Sequence, residues 1–467
     1  MTDQQKKPNV LILMCDQMQA KKMGFVDGIA HTPNLDALAS EGVYFTNAIT
    51  VHGQCCPSRC AFATGMSPHE SNVMTNFGFG DHCGFLTAKN RTFFQEFQDA
   101  GYTTAHFGKS HLGSPLRDLG FDVGECLDGH FSEGKEPIER VRRREELAAA
   151  DEDPIIKGAH HGYVKAGLDW LRRYEPSENP LFFMLDTNLP HPPLYWEEEW
   201  QDRFKPEEMA LPRSYYEEKF EGKPAFLKER YLKEGKPLKD EEATKLETAQ
   251  YYSLIAAVDK ACGQFIDLFK EKGLWENTTV LFLSDHGEML GGHGIARKGC
   301  MPYEELYNIP CIMRLPEGME RRRAVVEESI ISTDLPGALL DVAGLEAAPQ
   351  FGGSRVTEAL GREAPKGDEI VFFEHYAAWW GRHPFYAART QTMKYVRYYG
   401  DDDFEELYDL EKDPDELHNL VGGPDYAKVH ADLTKHADNW WTSTGGREAD
   451  YYETEEFKTN LNACEPA

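Results

Sequence analysis

Cys55-Cys56-Pro57-Ser58-Arg59, followed by Cys60-Ala61-Phe62-Ala63-Thr64-Gly65, is the stretch around which the rest of the chain is organised. Pro57 suits a first helical turn, because its missing N–H costs nothing there, and the small and apolar residues after it can continue the helix. Cys55 would then lie at the helix N-terminus, where free N–H groups and the helix dipole favour an anion. The same residues also fit a buried structural cysteine beside a surface arginine, and both interpretations stay open at this point.

Three apolar runs predict strands that are buried on both faces, as in a parallel sheet. They cover residues 9–14, 181–185 and 278–283. Asp16 follows the first run and Asp285 follows the third. Ligands of open α/β sheets bind beyond the carboxyl ends of the strands, so the sheet can bring these two carboxylates together.

The signature residues resemble those of the sulfatase family. Cys55-x-Pro57-Ser58-Arg59 is similar to the sulfatase signature, whose first cysteine is oxidised after translation to the aldehyde formylglycine. The resemblance runs from Pro8 to about Gly422. It implies an α/β sandwich of the alkaline-phosphatase type, in which helices flank both sides of a large mixed central sheet.

A small antiparallel sheet is predicted after about residue 368, where aromatic residues alternate along short strands. We therefore expect a sulfatase catalytic domain over residues 1–365 and a C-terminal subdomain with a tail over residues 366–467. The last thirty or so residues fit no pattern; they either wrap a neighbouring subunit of a homo-oligomer or cover the sheet edge.

Asp16, Gln17, Asp285 and His286 resemble the two metal-binding pairs of the family. The first pair is usually Asp-Asp, and the Asp-Gln found here resembles choline sulfatases and the formylglycine-bearing phosphonate monoester hydrolases. Oxygen ligands suit Ca²⁺ or Mg²⁺, while an imidazole and an amide among them also admit Mn²⁺ or Zn²⁺. We expect Ca²⁺, with Mn²⁺ as the next candidate.

Five further residues fall at positions where the family places its site. Lys109 and His111 lie in a Gly-Lys-x-His-x-Gly motif, and their alternate spacing lets both side chains face one pocket. His191 lies in a Pro-His-x-Pro loop, and Lys298 follows the second metal pair. Asn76 matches an active-site amide of the relatives, although an asparagine in a glycine-rich loop also fits a turn.

The resemblance implies hydrolysis of sulfate esters. The hydrated aldehyde at Cys55 offers two hydroxyls, of which one attacks sulfur and the second expels sulfate afterwards. Arg59 and the two lysines would stabilise charge that builds in the transition state, and the metal would lower the pKa of the attacking hydroxyl. His191 would protonate the leaving oxygen, and His111 would take the proton when the aldehyde re-forms.

Three other functions are compatible with parts of this pattern. A phosphonate monoester or phosphodiester hydrolase could use the same nucleophile and the same Asp-Gln pair. A phosphatase or phosphomutase of the superfamily would need Ser or Thr as nucleophile, and the intact signature argues against it. A non-catalytic carbohydrate-binding protein would not need the nucleophile, the cationic residues and the metal pairs together.

The amino-acid composition limits the kinds of partner that we expect the protein to bind. The net charge of −29 argues against nucleic acid and against an anionic membrane. The ten cysteines are scattered and show no disulfide framework or zinc spacing. No apolar run resembles a signal peptide or a membrane span, so we expect a cytoplasmic protein. The expected partners are a small-molecule or saccharide sulfate ester and a formylglycine-generating enzyme.

Overall fold

An eight-stranded mixed sheet forms the centre of the protein. The computed structural model describes residues 6–76, 86–87, 89–126, 157–234, 240–346, 348–351, 355–361, 369–378, 381–400 and 403–446. The strands of the central sheet and of a small second pair are β1 Asn9–Asp16, β2 Val43–Phe45, β3 Ala48–Ile49, β4 Thr103–Gly108, β5 Val123–Cys126, β6 Leu181–Pro190, β7 Thr278–Ser284, β8 Cys311–Arg314, β9 Val325–Val326 and β10 Ile330–Ile331.

The strand order in the central sheet is β5-β4-β6-β1-β7-β8-β2-β9, and β3 pairs separately with β10. The strands β5, β4, β6, β1 and β7 run parallel to one another, whereas β8 is antiparallel to both β7 and β2. All residues of β1 are buried, because it lies at the middle of the parallel part. This burial confirms the prediction made from its uninterrupted apolar run.

The register of the parallel strands determines where the polar residues lie. Met14 of β1 is opposite Asp186 of β6, and Cys15 is opposite Ser284 of β7. Gly108, the last residue of β4, is also opposite Asp186. Four strand ends therefore meet at one edge of the sheet.

Helices cover both faces of the central sheet. Lys157–Arg173 and Glu241–Glu271 pack on one face, and Cys55–Thr64, Phe93–Asp99 and Leu335–Val342 pack on the other. Successive β1 side chains point into these two cores alternately, as the pleat of a strand requires. The remaining helices of the described residues are Gly24–Asp27, Pro33–Glu41, Pro68–Ser71, Leu116–Leu119, Arg213–Glu217, Ala225–Glu234, Glu304–Tyr307, Arg355–Leu360 and Ala427–Ser443.

A four-stranded antiparallel sheet follows, as the alternating aromatic pattern predicted. Its strands, in spatial order, are β11 Val371–Ala378, β12 Gly381–Arg389, β13 Met393–Tyr398 and β14 Phe404–Asp409. One face packs on the helix Ala427–Ser443. The other face shares a core with Ala61 of the helix Cys55–Thr64 and with Tyr307, so this sheet is continuous with the body around the site.

The division of the chain at residues 365 and 366 stays a prediction. The terminal part of the predicted tail, residues 447–467, lies outside the described residues. Within the residues that the structure describes, no helix is both long enough and apolar enough to cross a membrane.

Candidate active site

The candidate site lies where the four strand ends meet the first turn of the helix Cys55–Thr64. Gln54 precedes the helix in an extended conformation, and every residue of the helix is buried. The hydroxyl of Ser58 donates to the main-chain oxygen of Asp285 at 2.6 Å, which joins the helix to the end of β7. Cys55 thus lies at a helix N-terminus, as the sequence predicted.

Two carboxylates, an imidazole and the Cys55 thiol form a buried cluster. Ligand atoms of Asp16, Cys55, Asp285 and His286 all lie within 4.8 Å of one another. The thiol Sγ lies 3.6 Å from Oδ1 of Asp16 and 3.2 Å from Nε2 of His286. Side chains that are far apart in the sequence therefore meet at one point.

The donor set of this cluster fits a divalent cation. Nδ1 of His286 is 2.8 Å from the main-chain oxygen of Gly287, and since a carbonyl only accepts, Nδ1 carries the proton. The lone pair of Nε2 is then directed at the cluster, which is the arrangement of a metal-ligating histidine. Gln17 lies beside this cluster, and the main-chain N–H of Gln17 donates to Oδ1 of Asp285 at 2.9 Å. Oxygen and imidazole ligands of this kind suit Ca²⁺ and Mn²⁺.

Two lysines surround the Cys55 thiol. Nζ of Lys298 lies 2.7 Å from Sγ, 2.7 Å from Oε1 of Gln17 and 3.0 Å from Nε2 of His286. Lys109 donates to the carboxylate of Asp16. Both ammonium groups are therefore held beside Cys55 and Asp16, although the chain as a whole is strongly acidic.

These charges shift the pKa values of the cluster. Burial raises the pKa of the Cys55 thiol, but Lys109, Lys298 and His286 outweigh it and hold that pKa well below its usual value. Burial also opposes ionisation of Asp16, yet the nearby ammonium groups bring the pKa of its carboxyl below the usual range. The site thus stabilises an anion at position 55.

Arg59 links the cluster to a second carboxylate. Its Nε donates to Oδ2 of Asp285 at 2.7 Å, and its Nη1 donates to Oδ2 of Asp186 and, at 3.2 Å, to the main-chain oxygen of Lys109. Burial disfavours the guanidinium charge, but these carboxylates raise the pKa of Arg59 well above its usual value. The arginine is a fixed positive charge one helical turn after Cys55.

The two histidines that the sequence singled out both reach the site. His111 makes a hydrogen bond to Cys55 that contributes to the low pKa of the thiol, and its φ of 56° places it in the left-handed region. His191 lies in the loop after β6, with Nδ1 2.6 Å from the main-chain oxygen of Pro192. A positive charge on its ring would lower the pKa of the Asp16 carboxyl, so the ring lies near the same cluster.

Asn76 lies at the start of the helix Cys55–Thr64. Its Oδ1 accepts the main-chain N–H of Cys56 at 2.8 Å, one of the helix N–H groups that have no partner within the helix. The side chain is buried next to Cys55. All eleven residues predicted for the site are thus gathered around one strand edge and one helix end.

Comparison with known proteins agrees with this geometry. The family model described as Sulfatase matches residues 8–345, which is most of the chain. The chain belongs to the sulfatase family. A second model, described as the C-terminal part of N-sulphoglucosamine sulphohydrolase, matches residues 291–441. The predicted function is confirmed at this level, and the sulfatase is a sulfuric ester hydrolase.

Individual relatives cover nearly the whole sulfatase. It is 30% identical to an arylsulfatase of Clostridium perfringens, over 90% of this chain and 91% of the relative. A solved structure in complex with its substrate D-glucosamine-2-N,6-O-disulfate superposes with a TM-score of 0.76 at 22% identity, covering 95% of this chain and 99% of the other. The phosphonate monoester hydrolase of Agrobacterium radiobacter gives a TM-score of 0.74 at 21% identity, covering 94% and 96%. The two structures establish the fold.

Two buried carboxylates of the site were missed by the sequence analysis. Asp186 directly follows the apolar run of β6, and this position at the same strand edge as Asp16 could have indicated it. Glu288 lies two residues beyond His286 and accepts a hydrogen bond from the amide of Gln17. No local pattern indicates Glu288, because its partner Gln17 follows another strand, β1.

Proposed function

We propose that this sulfatase hydrolyses a sulfate ester carried by a saccharide, with Cys55 converted to formylglycine as its nucleophile. One observation carries the proposal: Lys298, His286 and Asp16 converge on Sγ of Cys55 at 2.7, 3.2 and 3.6 Å. Positive charge fixed around a buried nucleophile favours an anionic substrate and the charge of its transition state.

The proposed reaction needs two components besides the encoded side chains, which are formylglycine and a divalent cation. Hydrated formylglycine would supply two hydroxyls on one carbon at the position that Sγ of Cys55 holds here. Asp16, Gln17, Asp285 and His286 would hold the divalent cation, proposed as Ca²⁺ with Mn²⁺ next, which lowers the pKa of a hydroxyl and neutralises sulfate oxygens.

The three cationic side chains at the site have different proposed roles. Lys298 contacts Sγ of Cys55, and Lys109 contacts the neighbouring carboxylate of Asp16, so we assign both lysines to the sulfate oxygens. Arg59 is bound by Asp285 and Asp186, and we assign it to holding the nucleophile end of the helix positive. Fixed donors of this kind need no reorganisation as charge develops on the substrate.

Two histidines are proposed to move protons. His111 is hydrogen-bonded at position 55, where a proton must be removed from the nucleophile side. In His191 the carbonyl of Pro192 holds the proton on Nδ1, so Nε2 is the atom that exchanges a proton with the leaving oxygen. Asn76 is the proposed substrate-binding amide: its Oδ1 is bound to Cys56, which leaves Nδ2 to donate.

A saccharide is supported by a structural neighbour whose substrate is a disulfated glucosamine, although that similarity establishes the fold alone. The same nucleophile with a phosphonate monoester is the second candidate. Gln17 in the metal pair and the phosphonate monoester hydrolase neighbour favour it.

The substrate class is tested by measuring turnover of one panel of substrates by the protein that carries formylglycine at position 55. The panel contains sulfated glucosamines, an aryl sulfate and the matching aryl phosphonate monoester. We expect the highest kcat/KM for a sulfated sugar and turnover of the aryl sulfate above that of the phosphonate. A phosphonate preference would replace the proposed function by the second candidate.

The nucleophile is tested by mass spectrometry after co-expression with a formylglycine-generating enzyme. We expect an aldehyde at Cys55, while Cys56 in the same tryptic peptide stays a thiol and serves as the internal control. An active preparation with an intact Cys55 thiol would contradict the proposal. The cytoplasmic location and the homo-oligomer stay predictions, testable by cell fractionation and by light scattering.

A further inference from the structure

The side-chain amide of Gln17 is held from both ends. Its Nε2 donates to Oε2 of Glu288, and its Oε1 accepts from Nζ of Lys298 at 2.7 Å. An ammonium group can only donate and a carboxylate only accepts, so these partners determine which end of the amide is oxygen. The oxygen end lies on the side of the cluster, because Nζ of Lys298, to which it is bound, also lies 3.0 Å from Nε2 of His286.

Glu288 is itself fixed by the main chain. Its Oε1 accepts the N–H of Leu290 at 3.2 Å and the N–H of Arg297. The side chain is completely buried, and its own main-chain N–H donates to Glu305 at 3.0 Å. One carboxylate oxygen is therefore committed to the loop, and the other is left for Gln17.

The backbone of Gln17 is equally constrained. Its N–H donates to Asp285 at 2.9 Å, and its main-chain oxygen accepts the hydroxyl of Tyr251 at 2.6 Å. Rotation of the terminal amide by a half turn is the remaining way to exchange its oxygen for its nitrogen. A neutral amide nitrogen is a poor ligand for Ca²⁺ or Mn²⁺, so that rotation would remove a metal ligand.

We propose that Glu288 is a positioning residue that keeps the carbonyl oxygen of Gln17 turned toward the metal site. The inference rests on the proposed function, because it assumes a cation bound by Gln17. It also gives a physical reason for an amide in the first metal pair. A carboxylate at position 17 would face the buried carboxylate of Glu288, and two like charges in contact are costly away from water.

Glu288→Gln tests the proposal directly. The two main-chain N–H groups keep the oxygen of the new amide, so its NH₂ end faces residue 17. Gln17 then gains a donor as neighbour and turns its own oxygen away from the cluster. We expect the affinity for Mn²⁺ and Ca²⁺, measured by isothermal titration, to fall about 10- to 100-fold, the usual loss for a partner behind a metal ligand.

The double variant Gln17→Glu with Glu288→Gln distinguishes an effect of amide orientation from a general disruption of the site. In this double variant the amide at 288 donates to one oxygen of the carboxylate at 17, and the other oxygen faces the cluster. The total charge equals that of the wild type. We expect metal affinity to recover to near the wild-type value, whereas Gln17→Glu alone should lower thermal stability in the absence of metal.

Glu406→Gln is the matched control, since Glu406 is also completely buried and accepts the hydroxyl of Tyr408 at 2.7 Å, a bond that an amide oxygen keeps. It should leave metal affinity unchanged. Folded Glu288→Gln protein with wild-type affinity, or a double variant no better than Glu288→Gln, would overturn the inference. A wild-type protein that binds neither cation would instead contradict the proposed function.

Discussion

Nε of Arg59 donates to Oδ2 of Asp285 at 2.7 Å, so the helix Cys55–Thr64 and the end of β7 share a buried ion pair. The other arm of the same guanidinium binds Asp186. Asp285 thus belongs both to the proposed metal site and to the support of Arg59, whereas Asp186 belongs only to the support. The two carboxylates should therefore be separable by mutation.

Asp285→Ala is expected to abolish metal binding and turnover together, because it removes a charged ligand from a divalent site. Asp186→Asn should keep the metal and lower kcat by up to about 100-fold, since Arg59 loses the charge of one of its two carboxylate partners and shifts. Metal content and steady-state kinetics of both variants check this. Chelated wild-type protein with full turnover, or metal loss in Asp186→Asn, would show that the assignment is wrong.

Cys55→Ser tests the need for two hydroxyls on one carbon. The serine hydroxyl would still lie beside Lys298 and can attack sulfur, which forms a serine sulfate ester and releases the alcohol. No second hydroxyl is present to expel the sulfate, so we expect a burst of one turnover and then a stall. Intact mass after incubation with substrate should show the sulfate adduct.

Cys56→Ser is the matched control for that variant. Cys56 is the variable position of the signature and lies outside the buried cluster of ligand atoms, so its substitution should leave modification and turnover in place. Sustained turnover by Cys55→Ser near the rate of the modified enzyme would exclude the mechanism with two hydroxyls.

The position before Lys109 requires a glycine, Gly108, because the main chain of Asp186 leaves no room for a side chain there. Its φ is +124°, and a Cβ added there would lie 1.8 Å from the main-chain oxygen of Asp186. That oxygen also accepts the N–H of Lys109 at 2.9 Å, so any shift moves the lysine. We expect Gly108→Ala to lower the free energy of unfolding by about 2–4 kcal/mol and to lower turnover as well.

Gly101→Ala is the control, because Gly101 also has a positive φ of 86° but nothing lies within 4 Å of an added Cβ. It should cost only backbone strain, about 1 kcal/mol, and leave kcat unchanged. Denaturant unfolding and kinetics compare the two variants. Equal destabilisation by both would show that the contact with Asp186 is unimportant.

The stability of the protein should depend on pH through His69, which is not part of the proposed metal site. Burial disfavours its charged form, but the carboxylate of Glu374, 2.7 Å from Nδ1, outweighs it and raises the pKa of His69. A pKa raised in the folded state stabilises the protein below the unfolded value of about 6.5, and the contribution is lost as pH rises through the folded pKa.

Glu374→Gln removes the cause of that shift. The loss of unfolding free energy relative to the wild type should be largest below pH 6.5, the ordinary histidine value, and should shrink at higher pH. Urea unfolding across this range measures the difference. A difference that grows with rising pH would have the wrong sign for this pair.

Local sequence patterns were sufficient to predict the helix and strands that form the site and to indicate the family. The uninterrupted apolar run of β1 requires burial on both faces, and the residues after Pro57 require a helix that begins near Cys55. Both signals are local, because burial and helix initiation depend on neighbouring residues. The signature motif and the polar residues after the strands then indicated the family.

The contacts between side chains could be seen only in the folded protein. Lys298 contacts Cys55 across 243 positions, and Asp186 meets Arg59 through the register of β6 beside β1. The orientation of the Gln17 amide likewise depends on Glu288, a residue of another loop. Such pairings are determined by strand order and loop geometry, which join residues far apart in the chain and leave no periodic pattern near either partner.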